Sequence, residues 1–314
     1  MVRLRRRKKM KRFEKVVPAD AASLPGMKTV MGDCSERNKV NYFHDVEYAR
    51  RGDLALHLQL LLPCNLFPDV PDARRFPLIV YVQGAAWGEQ DVYGNIPMLA
   101  QLARKGYVVA SVKHRASMVA KFPAFLQDVK SAIRFLRANA DRYFIDPEEV
   151  AVWGDSSGGH AALMTAVTGD MEEFKTEDHH EFSDAVQAAV DFYGPTDVTH
   201  INDTPRNPLF TQDKSNIPED ILFGGCVIEH PELAACGNPL NYVSAGKQIP
   251  PILIAHGDSD AMVPFRQSVL MAQKLQECGK EVEFYKVRGA DHGVFFWTEE
   301  LMELVDRFLR AYLA

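Results

Sequence analysis

Cysteine is scarce in this chain. The five cysteines, Cys34, Cys64, Cys226, Cys236 and Cys278, are odd in number, widely spaced and free of any C-x-x-C pair. Disulfide scaffolds and zinc sites normally use closely and regularly spaced cysteines. The pattern therefore favours free thiols in a reducing, cytoplasmic environment, with no structural metal.

Long apolar runs are also missing. No stretch approaches the roughly 20 apolar residues that are needed to span a bilayer. The basic start of the chain is not followed by the apolar segment of a secretory signal. The 314 residues are 46% hydrophobic, which is ordinary for a globular protein with a sizeable core. These features predict no membrane span.

Positive charge is sparse outside the first 15 residues. That stretch holds nine Lys and Arg against one Glu, whereas the remainder holds 27 against 41, a net charge of −14. An acidic body without a base-stacking motif predicts no nucleic-acid partner and argues against a polyanionic substrate. We expect residues 1–40 to form a basic flexible tail and lead-in, and residues 41–314 to form one domain.

The apolar pattern of that domain predicts an α/β fold. Two strand-like runs separated by "RGD" indicate an antiparallel hairpin, and short apolar strands then alternate with helical patterns to the end. Such alternation is typical of a mostly parallel sheet with helices on both faces. The hairpin would form the N-terminal edge of the sheet. A polar, Pro-rich stretch of about residues 199–248 interrupts the alternation and is predicted to be a cap insertion with one or two short helices.

The stretch "VAVWGDSSGGH", residues 150–160, places two serines at a predicted strand-to-helix turn. The frame Gly154-Asp155-Ser156-Ser157-Gly158 fits G-x-S-x-G, in which the central serine occupies a tight turn between small residues. Ser156 is therefore the candidate nucleophile. The alternative is a Gly-rich turn whose serines cap a helix. The Gly-Asp-Ser-Gly-Gly turn of secreted chymotrypsin-like proteases conflicts with the parallel-sheet pattern.

A serine nucleophile needs a base, and the base needs a carboxylate that orients it. In this type of sheet the chain order is Ser, then Asp or Glu, then His. Asp260 follows a late strand, and His292 lies on a Gly-flanked loop after the last strand. Asp258 and Asp197 remain alternatives for the acid. The other candidate histidines are expected to be structural or to lie in a polar stretch; they are His160, His256, His179 and His180.

The segment "VQGAAWG" after the third strand lies where oxyanion donors arise in this fold. Its small residues allow the backbone to approach a ligand. We expect the N–H groups of Ala85, Ala86 and Ser157 to form the oxyanion hole. Gly84 and Trp87 are predicted to contact the substrate. Cap aromatic residues are further candidates for the pocket lining; they are Phe210, Phe223 and Tyr242.

Taken together, these motifs resemble the α/β-hydrolases, specifically the hormone-sensitive-lipase-like carboxylesterases and the related feruloyl and acetyl-xylan esterases. The resemblance covers residues 40–314 and implies the same nucleophile, acid and base: Ser156, Asp260 and His292. It also implies an oxyanion loop of His-Gly-Gly-Gly-Trp type, whereas this chain has Gln83-Gly84-Ala85-Ala86-Trp87. Alanines keep the donors in place only if φ is negative at 85 and 86.

The function predicted from these residues is a serine carboxylesterase that forms an acyl-enzyme on Ser156. Its substrates would be small esters, with short acyl or hydroxycinnamoyl groups, including feruloyl esters of plant sugars. No metal or organic cofactor is required. A serine peptidase of prolyl-oligopeptidase type and a non-catalytic ligand-binding homologue are the alternatives. Assembly into a homo-oligomer is left open by the sequence.

Overall fold

The computed structural model describes residues 25–28, 30, 39–64, 74–203 and 217–313. Residues 37–314 form one compact unit, and the fold below is that of its described residues. The basic stretch 1–15 and the cap residue Phe210 lie outside the described residues. The first strand begins at Val40. Within the described part of the chain, no helix is both long and apolar enough to cross a membrane.

Eight strands and seven α-helices follow one another in the described part of the chain. The strands are β1 (Val40–Arg51), β2 (Leu54–Pro63), β3 (Phe76–Val82), β4 (Val108–Val112), β5 (Ile145–Asp155), β6 (Ala188–Phe192), β7 (Ile252–Gly257) and β8 (Val282–Val287). The helices are α1 (Ile96–Lys105), α2 (Ala124–Ala138), α3 (Ala140–Tyr143), α4 (Ser157–Val167), α5 (Pro218–Phe223), α6 (Arg266–Glu277) and α7 (Glu299–Tyr312).

All eight strands form one sheet in the order β1-β2-β4-β3-β5-β6-β7-β8. The β1–β2 and β2–β4 pairs are antiparallel, and every other pair is parallel. The predicted antiparallel N-terminal edge and parallel body are therefore confirmed. Parallel neighbours require crossovers, which the intervening helices provide.

Helices cover both faces of the sheet, as predicted. On β3, Leu78 and Val80 face the core that is shared with α2, α4 and α6, whereas Ile79 and Tyr81 face the core that is shared with α1 and α7. This alternation follows from the two-residue period of a strand. Because both faces are buried, the central strands are mostly apolar, which is why their sequences show runs rather than alternation.

The long connection between β6 and β7 contains the predicted cap. Its described residues hold α5 and four short 3-10 segments: Val198–Asp203, Pro231–Leu233, Ala235–Gly237 and Pro239–Tyr242. Phe223 and Tyr242 pack against Phe122 and Phe174 at ring-centroid distances of 5.5 and 6.0 Å. This part of the connection is therefore anchored to the α2 side of the sheet through aromatic contacts.

Candidate active site

Ser156 lies at the sharp turn between β5 and α4. Its φ of 54° and ψ of −124° place it in a region that L-residues rarely adopt. A Cβ on Gly154 would lie 2.0 Å from the Gly158 carbonyl oxygen, and one on Gly158 would lie 1.9 Å from the Val82 carbonyl oxygen. Only glycine fits at these two positions, because strand, turn and helix approach too closely for a side chain.

Ser156, His292 and Asp260 come together at the carboxyl ends of the parallel strands. His292 Nε2 lies 2.8 Å from Ser156 Oγ, and His292 Nδ1 lies 2.7 Å from Asp260 Oδ2. The partners assign the tautomer: Nδ1–H donates to the carboxylate and Nε2 accepts the serine O–H. The structure thus places the three predicted residues in one hydrogen-bonded chain.

The Asp260 carboxylate is held by four donors. Its Oδ1 accepts the backbone N–H groups of Met262 and Val263, both at 2.8 Å. Its Oδ2 accepts from His292 and also lies 3.2 Å from His256 Nε2. Burial raises the pKa of Asp260, but the hydrogen bonds from the two histidines outweigh burial and hold this pKa below its usual range. The group is therefore a fixed anion beneath His292.

Two residues that sequence reasoning did not assign to the site support this chain of hydrogen bonds. His256, at the end of β7, is fully buried; its Nδ1 accepts the Ser268 hydroxyl at 2.7 Å, so Nε2–H faces Asp260 and the Val263 carbonyl. Asp291 Oδ1 accepts the N–H groups of both Ala261 and His292, at 2.9 and 2.7 Å. Asp291 therefore connects the loop that carries Asp260 to the loop that carries His292.

The stretch "HGDSD" could have indicated the contact of His256 with Asp260. His256 lies near the end of β7 and only four residues before Asp260, so its side chain can reach the carboxylate. No comparable signal exists for the Asp291 contacts, which depend on how two loops meet. The alternative acid Asp258 is exposed, and its carboxylate binds the Gly289 N–H at 2.7 Å. Asp197 instead binds Thr199 and His200.

The loop after β3 lies directly against Ser156. A Cβ on Gly84 would lie 2.6 Å from Ser156 Cβ. The Gly84 N–H donates to Asp155 Oδ1 at 3.2 Å, and the Tyr81 hydroxyl donates to the same oxygen at 2.6 Å. Burial raises the pKa of Asp155. Asp155, in the variable position before Ser156, therefore tethers the loop after β3 to the turn.

The predicted oxyanion donors differ in their surroundings. The alanines were expected to need a negative φ to keep their N–H groups in place. Ala86 instead has a φ of 49°, so its backbone adopts the left-handed region. The Ala85 N–H donates to Ser157 Oγ at 2.9 Å. Ser157 is the first residue of α4, where backbone N–H groups have no partner within the helix. Donation by these three residues to an oxyanion stays a prediction.

Trp87, a predicted substrate contact, is only 2% exposed and belongs to the core. Its Nε1–H donates to His160 Nδ1 at 2.9 Å, and His160 Nε2–H donates to the Gly237 carbonyl at 2.7 Å. These two hydrogen bonds connect the loop after β3, helix α4 and the cap. Burial lowers the pKa of His160 to about 4, so this imidazole is neutral at pH 7.

The model of the BD-FAE family matches residues 66–275, about two thirds of the chain. The chain belongs to the BD-FAE family. Its sheet and helices are those of the α/β-hydrolase fold, and the predicted resemblance to this group of esterases is confirmed. Among the described residues of this BD-FAE member, no cluster of three His, Cys, Asp or Glu is arranged to hold a metal ion.

Similar proteins carry esterase names. Esterase LipC of Mycobacterium tuberculosis is 29% identical over 228 residues, 72% of this chain and 54% of the relative. A solved "truncated form of carbohydrate esterase from gut microbiota" is 31% identical, with a TM-score of 0.73, covering 86% of this chain and 95% of that one. The butyrate-bound esterase Est2 of Thermogutta terrifontis is 25% identical, with a TM-score of 0.70, covering 89% and 97%. The chain spans about half the length of the curated relatives it matches.

Proposed function

We propose that this protein is a serine carboxylesterase that hydrolyses small carboxylic esters through an acyl-enzyme on Ser156. The observation that carries the proposal is the chain of hydrogen bonds from Ser156 Oγ through His292 to the buried Asp260. A serine hydroxyl is a weak nucleophile at neutral pH, and this arrangement supplies the base and its orienting carboxylate.

In the proposed reaction, Ser156 Oγ forms a bond to the ester carbonyl carbon while its proton moves to His292 Nε2. The carbonyl π electrons move onto oxygen, and backbone N–H groups stabilise the resulting charge. His292 then gives the proton to the leaving alcohol as the carbon–oxygen bond breaks. A water molecule then attacks the acyl-enzyme carbonyl while His292 Nε2 takes its proton. His292 returns this proton to Ser156 Oγ as the acyl–oxygen bond breaks and the carboxylic acid leaves. Asp260 holds the imidazole in the required tautomer and stabilises its protonated form.

The proposed substrates are esters with short acyl or hydroxycinnamoyl groups, including feruloyl esters of plant sugars. The similarity to a carbohydrate esterase over 95% of that chain supports a sugar-linked alcohol. The similarity to a butyrate-bound esterase supports a short acyl group. A small-molecule ester is therefore the proposed partner.

Steady-state hydrolysis by the wild type and Ser156→Ala tests the proposal. The panel contains p-nitrophenyl acetate, butyrate and octanoate, methyl ferulate, an acetylated xylooligosaccharide and a Pro-containing peptide amide. We expect turnover of short or feruloyl esters and a loss of at least about 10⁴-fold in Ser156→Ala, because removal of the nucleophile leaves only binding and oxyanion stabilisation.

A fluorophosphonate probe provides a second readout. It should label the wild type once, at Ser156, as located by mass spectrometry of the labelled peptide. Turnover of the peptide amide in preference to esters would instead support the peptidase alternative. Folded protein that neither turns over any ester nor reacts with the probe would support the non-catalytic alternative.

A further inference from the structure

The second serine of the nucleophile turn makes a contact that bears on the oxyanion hole. Ser157 Oγ accepts the N–H of Ala85 at an N···O distance of 2.9 Å. Ala85 was predicted to belong to the oxyanion hole because its segment follows the third strand, where oxyanion donors arise in this fold. That N–H already has an acceptor, and the acceptor belongs to a residue that is only 2% exposed.

The chemistry of a hydroxyl group decides what this contact can do. A serine oxygen has one O–H to donate and two lone pairs to accept with. The Ala85 N–H fills one lone pair and leaves the O–H available. Among the described residues, none accepts the Ser157 O–H. A hydroxyl that receives a hydrogen bond is also polarised into a better donor.

We propose that the Ser157 hydroxyl donates a hydrogen bond to the oxyanion. The Ala85 N–H orients this hydroxyl, and the hydroxyl takes the place of that N–H as a donor in the oxyanion hole. This inference rests on the proposed esterase function. As Ser156 Oγ bonds to the carbonyl carbon, the π electrons move onto the carbonyl oxygen, which accepts from Ser157 O–H, Ser157 N–H and Ala86 N–H. Ser157 transfers no proton, and the Ser156 proton goes to His292.

A competing explanation predicts the opposite sign. If Ser157 Oγ merely occupies the Ala85 N–H, the hydroxyl withholds a donor from the reaction. Its removal would then free that N–H and raise the rate. Removal under our proposal eliminates a donor that acts in the transition state and lowers the rate. The sign of the change in kcat therefore separates the two explanations.

The experiment compares kcat and KM on p-nitrophenyl butyrate for the wild type and Ser157→Ala. We expect kcat to fall about 10²- to 10³-fold, as for the loss of one oxyanion donor, with KM changed less than threefold. Thr165→Val is the matched control, because it removes another buried α4 hydroxyl, one that donates to the Ala161 carbonyl. Its kcat should stay within about twofold of the wild type.

A boronic acid inhibitor gives a readout that a folding defect would not mimic. Its tetrahedral adduct places a charged oxygen in the oxyanion hole, so Ser157→Ala should weaken inhibition by roughly the factor lost from kcat. Affinity for the product acid should hardly change. Thermal unfolding checks that the variant is folded, and alanine is a good residue at a helix start.

The outcomes distinguish this inference from the function on which it rests. An active wild type, an inactive Ser156→Ala and an undiminished or faster Ser157→Ala would overturn the role of Ser157 and leave the esterase function standing. A wild type that hydrolyses no ester and escapes the fluorophosphonate probe would overturn both.

Discussion

The side chains of two aspartates, Asp184 and Asp260, are completely buried, yet their partners differ in kind. Asp184 accepts from Lys130 Nζ at 2.6 Å and from Arg134 Nη1 at 2.9 Å, all three side chains being fully buried. Asp260 accepts from two histidines and two backbone N–H groups. One carboxylate is paired with two basic side chains, and the other is held by imidazole and backbone N–H groups.

Asp184 belongs to a structural ion cluster, whereas Asp260 belongs to a site that can take up positive charge. Lys130 and Arg134 lie one turn apart on α2, so the Asp184 cluster fixes that helix to the segment before β6. Asp260 faces an imidazole that becomes charged only when it receives a proton. Its negative charge is therefore available to stabilise that state.

The largest expected effect comes from Asp260→Asn. The amide would favour the wrong tautomer of His292, so we expect kcat/KM to fall about 10⁴-fold while the protein remains folded. Ester hydrolysis and thermal unfolding measure the two effects. Asp258→Asn, at the exposed aspartate two residues earlier, is the control and should retain activity within a few fold. Near-normal hydrolysis by Asp260→Asn would contradict its role as the acid.

The converse result is expected from Asp184→Ala. This change leaves two buried cations without their anion, so we expect the free energy of unfolding to fall by about 3–5 kcal/mol. Below the unfolding transition, kcat should stay within a few fold. Denaturant unfolding with parallel activity assays tests both statements. Glu172→Gln neutralises an exposed carboxylate that pairs with Lys175 and His180, and it should cost less than about 1 kcal/mol. Equal losses would remove the distinction between buried and exposed charges.

His160 lies between the two cases, because it is buried and titratable but neutral. Burial lowers its pKa from 6.5 to about 4. Between these values the unfolded chain binds a proton that the native state does not bind, so the free energy of unfolding should fall as pH drops from 6.5 to 4. The loss attributable to His160 is about 3 kcal/mol.

Denaturant unfolding at pH 7 and pH 4.5 measures this loss. His160→Gln should show a smaller difference between the two pH values than the wild type. His44→Gln alters an exposed imidazole, 76% accessible, and should reproduce the pH dependence of the wild type. Parallel profiles for wild type and His160→Gln would mean that another group carries the acid sensitivity.

The smallest effect is expected from Ser268→Ala. The Ser268 hydroxyl donates to His256 Nδ1 and so keeps Nε2–H directed at Asp260. Loss of one such hydrogen bond is worth about 1 kcal/mol, which corresponds to about a fivefold lower kcat. Less support for the Asp260 anion should also raise the pKa of its carboxyl. A kcat identical to that of the wild type would show that His256 only packs.

Much of the fold was predictable because local pattern and burial agree. The run Leu54–Pro63 was predicted as a strand and forms β2, and Phe125, Val129, Ile133 and Leu136 share the buried face of α2 as their spacing indicates. The role of the two glycines that flank Ser156 was also predictable, because the requirements of a tight turn involve only residues close in sequence. The Lys130–Asp184–Arg134 cluster was not predicted, because its partners meet only after α2 packs against a loop about 50 residues away.

By itself, the sequence determined the alternation of strands and helices, the position of the turn that carries Ser156, and the order in which Ser156, Asp260 and His292 follow one another along the chain. Each follows from short-range periodicity, glycine spacing and the rule that parallel strands present their carboxyl ends at one edge. Only the tertiary structure decided that His256 shares Asp260, that Asp291 joins two loops, and that Ser157 Oγ takes the Ala85 N–H. These contacts join residues distant in sequence, and hydrogen bonds form only where packing brings donor and acceptor within about 3 Å of each other.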